Sequence, residues 1–134
     1  MTQRTYFKIG VYFFLFIVAV VFYLWWLSYN AQRYRDYERL GDLRVLQAIM
    51  TDYYGKFNTY VVPQCVVGSA ISSCLGNNFL PLAVDNLKDP IDSGSYKYLV
   101  GSLSDSDFQI DFSFEQDTAG SLAGRHMLTK NGIR

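Results

Sequence analysis

Few residues in this chain have the type and spacing for chemistry. Cys65 and Cys74 are the only cysteines, and eight residues separate them. Neither has a histidine or further cysteine at zinc-ligand spacing, so a disulfide closing a short loop is the favoured reading. Two free buried thiols are the alternative. His126 is the single histidine. Without a nucleophile or acid at a fixed offset it reads as a structural residue. Asp89, Asp92, Asp105 and Asp107 sit in loop-like sequence, but their spacing matches no EF-hand. No glycine-rich phosphate loop precedes a helix. The expectation is therefore no catalytic constellation, no metal, no cofactor and no small-molecule substrate.

Bulk properties narrow the classes further. Twelve basic and twelve acidic residues cancel formally, which leaves no basic footprint for nucleic acid. A length of 134 residues allows one small domain and one anchor.

The anchor is the run Ile9–Leu27, uncharged and apolar throughout. About 19 residues make a helix roughly 29 Å long, the thickness of a bilayer core. Tyr12, Tyr23, Trp25 and Trp26 add rings, the tryptophans near the end where interfacial belts form. The run exceeds a signal-peptide core, and bulky Trp25, Trp26 and Leu27 stand where a small-residue cleavage site belongs. The expected product is an uncleaved, single-pass membrane protein. Arg4 and Lys8 favour an inside amino terminus, while Arg33, Arg35, Arg39 and Arg44 pull the other way. The cysteine pair suits an oxidising compartment and places the C-terminal head outside.

No proline occurs before Pro63, so one helix is expected from about Tyr6 to Lys56. Residues 1–8 form a polar lead, 9–28 the membrane span, 29–57 an amphipathic soluble half, and 58–134 the head. Leu40, Leu43, Leu46, Met50, Tyr53 and Phe57 recur at intervals of three and four and form one apolar stripe. Arg35, Glu38, Arg39, Asp42 and Arg44 are read as the opposite, solvated face, with Arg35–Glu38 and Arg39–Asp42 as pairs three apart. Gly41 is expected to allow close packing or a slight bend. In the membrane half, Phe14, Ile17, Val21 and Leu24 are the expected packing positions.

Residues 59–78 read as a loop stapled by the cysteines, followed by a short helix opening at Pro81 and ending at Lys88-Asp89-Pro90. Ser95–Val100 alternates, with Tyr96 and Tyr98 on the core face. Phe108–Glu115 alternates without exception, with Phe108, Ile110, Phe112 and Phe114 on one face. A third strand is expected at Arg125–Thr129, with turns at Gly101–Asp107 and Asp117–Gly124. Helix first and meander after make the class α+β.

The residues also carry a likeness. Asn30–Val62, with Arg35-Asp36 ahead of Arg39, Asp42-Leu43, Leu46-Gln47 and Tyr53-Tyr54, resembles the helix that follows the membrane in type IV pilin-like proteins, pseudopilins of type II secretion included. Lys88-Asp89-Pro90, Tyr96-Lys97-Tyr98 and the tail from Ser113 to Arg134 are similar to later family features in the same order. The likeness covers about residues 30–134. It implies one long helix on a small antiparallel sheet, partners that are pilin-like subunits and an assembly platform, and work supplied by a separate ATPase. It also brings a late-loop calcium site into view, as in some pseudopilins. The amino end departs from the family. Lys8-Ile9-Gly10-Val11 stands where members carry a Gly-Phe-Thr-Leu-Ile-Glu type cleavage sequence, and Leu15 replaces the glutamate. With no acid before Asp36, a tip subunit or an uncut membrane protein of pilin-like fold is implied. The alternative is a monomeric membrane-anchored binding or sensor domain.

Overall fold

The computed structural model describes residues 3–63, 65–75 and 87–134. The expected helix at Pro81 and the Gly76-Asn77-Asn78 turn lie outside them. The chain divides into two compact units, Met1–Tyr34 and Arg35–Arg134.

Helix α1 spans Gln3–Phe57, close to the bounds that the absence of proline predicts. It ends at Asn58, which takes a left-handed φ of 54°. The Asn58 N–H donates to the Tyr54 carbonyl at 2.8 Å, so a terminal carbonyl finds its partner. By length and composition α1 is able to cross a membrane. Within the first unit every large apolar side chain from Ile9 to Leu27 is exposed, Phe14, Ile17, Val21 and Leu24 included. A run this apolar and this exposed is suited to lipid or to other helices.

The second unit is α+β. After α1 come a five-residue helix, α2 (Ile71–Leu75), and four strands: β1 (Leu99–Leu103), β2 (Phe108–Phe114), β3 (Gly124–Thr129) and β4 (Gly132–Ile133). They form an antiparallel meander in the order β1-β2-β3-β4. The alternation of β2 does what its period requires: Phe108, Ile110, Phe112 and Phe114 are all buried. Leu43, Leu46, Ile49, Met50 and Tyr53 of α1 join them in a single core with Tyr98, Val100 and Leu128.

Several expectations need correction. Phe57 is 52% exposed, its ring 4.7 Å from that of Tyr53 rather than within the core. Leu40 is only half-buried at the core's margin, and Ile49 is a core residue that the stripe omitted. Tyr96 is not in the sheet. The strand begins at Leu99, and Tyr96 makes an isolated bridge to Ser93. β1 also runs through Gly101, where the register with β2 slips between Val100 and Ser102. The turn is accordingly shorter than expected, closed by Ser104 N–H to the Asp107 carbonyl at 2.9 Å. Gly41 packs closely on nothing among the described residues, since a Cβ there would meet no atom of theirs within 4 Å. The loop after Thr59 holds α2, and the chain segment before it covers the β1 edge, with Gly68 N–H and Ile71 N–H donating to the Val100 and Tyr98 carbonyls.

Candidate functional site

The most organised polar feature of the second unit lies at the start of its helix. Asp36 and Arg39 are fully buried. They continue the core stripe toward the N-terminus, because 36, 39, 43, 46, 50 and 53 are spaced by three and four. The expected solvated face is thus wrong at Arg39. The true period leads to Arg39, whereas an apolar residue had pointed to Leu40.

Arg39 is met from three directions. Its Nε and Nη2 donate to Asp89 Oδ2 and Oδ1 at 2.6 and 2.8 Å, and its Nη1 to Asp36 Oδ1 at 2.6 Å and Glu115 Oε1 at 2.8 Å. The Tyr96 ring lies 5.0 Å from the guanidinium carbon, in cation–π range. Arg35 adds a second fork onto Glu115, with Nε–Oε1 at 2.7 Å and Nη2–Oε2 at 2.5 Å. The expected Arg35–Glu38 and Arg39–Asp42 pairs are replaced by these longer-range ones.

The backbone is included. Asp36 accepts the N–H groups of Glu115 at 3.0 Å and Gln116 at 2.8 Å, just where β2 ends. Asp89 accepts the Ile91 N–H at 2.9 Å. One cluster therefore ties α1, the loop before β1 and the end of β2. Among the described residues no fully buried side-chain nitrogen or oxygen lacks a partner, the condition under which a buried ion cluster is tolerated.

The electrostatics follow. Burial works against the Arg39 charge, but its hydrogen bonds to Asp89, Glu115 and Asp36 outweigh it and hold its proton more tightly than usual. Arg35, chiefly through its hydrogen bonds, holds the Glu115 carboxyl below the ordinary glutamate range. One turn on, the Tyr98 hydroxyl donates to Asp42 Oδ2 at 3.0 Å. Burial pushes both groups upward, Asp42 despite that hydrogen bond. With its donors committed to carboxylates, Arg39 fastens segments distant in sequence.

The other expected chemistry is scattered. Both His126 ring nitrogens face carbonyls, Nε2 at 2.6 Å from Leu122 O and Nδ1 at 3.3 Å from Arg134 O. The ring lies against Phe112 and Phe114. Asp105 accepts the Thr59 hydroxyl, and Asp107 caps the Phe108 N–H. With Asp89 engaged by Arg39, the loop acids do not converge, and no metal-holding group of His, Cys, Asp and Glu occurs among the described residues. Cys65 is disulfide-bonded, and no cysteine among the described residues is free. The Cys74 side chain lies outside the described residues.

Compared with known proteins, the chain matches no family model, no curated protein and no solved structure.

Proposed function

We propose that this protein is a single-pass, pilin-like structural subunit, a minor pilin or pseudopilin of a type IV pilus or type II secretion-like filament. Its head lies outside the membrane and its amino terminus inside. The observation that carries the reading is α1. One helix bears the uncharged, exposed stretch Ile9–Leu27 and then the stripe that forms a core with a four-stranded antiparallel meander.

In this reading Phe14, Ile17, Val21 and Leu24 pack against neighbouring membrane helices, and the exposed face of α1 around Val45 and Ala48 meets neighbouring heads. The Arg39 cluster keeps the head fixed to its own helix while neighbours pull on it. The Cys65–Cys74 bond staples the loop that leads into α2.

The lack of any acid before Asp36 favours a second reading, a monomeric anchored binding or sensor domain. An ionised carboxylate in a bilayer centre costs several kcal/mol unless paired, and a pilin glutamate is matched to a neighbour's amino terminus. Leu15 offers no such pairing.

Mass spectrometry of the membrane-extracted protein, with cross-linking through a cysteine introduced at Val45, separates the two. A free methylated Val11 or a ladder of cross-linked copies is expected for a filament subunit. An intact Met1 together with monomer alone overturns the filament reading.

A further inference from the structure

The face of the sheet turned away from the core has its own organised chemistry. Ser113 of β2 pairs with Arg125 of β3. Leu99 of β1 pairs with Asp111, and Lys97 lies two residues before β1 begins. Ser113 and Arg125 face the same side of the sheet, and Lys97 joins them from the segment that leads into β1. All three line a cavity of about 400 Å³ together with Asp111 and Leu99.

Each of the three has unused hydrogen-bonding capacity. Ser113 is only 5% exposed, yet no protein group takes its hydroxyl among the described residues. Since no fully sealed side-chain oxygen lacks a partner, the Ser113 Oγ is not sealed off, and Ser113 lines the cavity. Lys97 is half-buried, again without a protein partner among the described residues. Arg125 uses Nη2 on Asp111 Oδ2 at 3.1 Å, and its other donors are open. Asp111 is otherwise occupied by the Gln109 amide at 2.8 Å. Two cations against one carboxylate leave the cavity lining with a single positive charge. Gly101 helps to keep the Gln109–Asp111 pair flat on the sheet, since a Cβ there would come within 2.9 Å of Gln109 Nε2.

We propose that this face binds a small carboxylate ligand, seated over the Ser113 hydroxyl between Lys97 and Arg125. A carboxylate is monoanionic, planar and acceptor-only, so it matches one net charge and donors on both sides. A dianionic phosphate leaves one charge uncompensated. The cavity volume lies in the range of small-molecule sites, and Leu99 supplies an apolar wall for the ligand's carbon body. The site lies within one chain and does not depend on the filament reading.

The test is an NMR titration of the full-length protein in detergent micelles with sodium acetate, with sodium chloride and inorganic phosphate in parallel. Acetate is expected to shift the Ser113 and Arg125 amides and the Lys97 ammonium signal to saturation. Chloride at equal ionic strength leaves no saturable shift, and phosphate binds more weakly than acetate. Lys97→Met and Ser113→Ala each weaken acetate binding by roughly tenfold or more, the usual loss for a hydrogen bond to a charged group. Unmoved Ile110 and Leu128 amides show that the variants fold. Shifts that never saturate, variants that bind as well as the parent, or phosphate binding as tight as acetate overturn the proposal.

Discussion

Arg39 grips Asp89, fifty residues further along the chain, through two hydrogen bonds of 2.6 and 2.8 Å, and both side chains are fully buried. Neither residue belongs to the sheet, yet the pair holds the loop before β1 against the helix that covers the sheet. Glu115 brings in the end of β2 at 2.8 Å. The ionic cluster thereby does at one end of the head what the apolar core does along its middle.

Arg39→Met strands Asp36 and Asp89 as buried, unpaired carboxylates. Breaking such a cluster costs about 3–5 kcal/mol. Denaturant unfolding followed by circular dichroism is expected to show a loss of that size. Arg39→Lys recovers only part, because an ammonium lacks the planar fork that spans Asp89. An unchanged unfolding midpoint in Arg39→Met contradicts the role assigned to the cluster.

Acid is expected to loosen the Arg35–Glu115 contact. The Glu115 carboxyl titrates below its unfolded value, held down first by the Arg35 hydrogen bonds. Its contribution is therefore full above the unfolded pKa and is lost as pH falls through the folded one. Carbon-detected NMR of the Glu115 carboxyl reads this directly, and Arg35→Ala should move its midpoint upward.

Asp42 has the opposite sign. Burial raises its pKa, so its contribution is present below the unfolded value and is lost as pH rises through the folded value. Asp42→Asn keeps an acceptor for the Tyr98 hydroxyl and removes the buried charge. It is expected to be at least as stable as the parent at neutral pH, whereas Asp42→Leu leaves the Tyr98 hydroxyl unpaired and costs about 1–3 kcal/mol. Parallel thermal melts across pH decide this.

The core boundary is equally testable. Phe112 is 1% exposed, and Phe112→Ala should cost about 3–5 kcal/mol. Phe57 lies largely in solvent, so Phe57→Ala should stay within about 0.5 kcal/mol in the isolated chain. Equal losses for the two would contradict the burial pattern.

The cysteines make a final prediction. Thiol labelling of the native, unreduced protein should modify neither Cys65 nor Cys74, and both should react after reduction and unfolding. Replacing both with serine removes a short loop closure expected to contribute roughly 2–3 kcal/mol. Labelling of both without reduction overturns the pairing and weakens the placement of the head outside the membrane.

What was legible in the sequence was periodic. The absence of proline and charge between Ile9 and Leu27 is a local property, and it alone predicts one helix through that run. The two-residue alternation of Phe108–Phe114 predicts its strand and buried face for the same reason: neighbouring side chains point to opposite sides whatever they pack against. Tyr98 followed this rule. Tyr96 escaped it because pairing with β2 starts only at Leu99. β4 is two residues long, too short to display a period.

The site was less legible because a charge carries no sign of its own burial. On polarity alone, Arg39 reads as solvated, although the spacing of Leu43, Leu46, Met50 and Tyr53 extends backward through it to Asp36. Whether an arginine can be buried depends on who meets it. Asp89 and Glu115, 50 and 76 residues away, are brought to Arg39 only when the sheet closes on the helix. That Lys97, Ser113 and Arg125 line one cavity is likewise decided between segments distant in the chain. Amino-acid sequence determined the apolar span, the covering helix and the central strand, because those depend on local repeats. Tertiary structure decided which charges are buried and which donors stay open, because desolvation and hydrogen bonding are settled between segments distant in the chain.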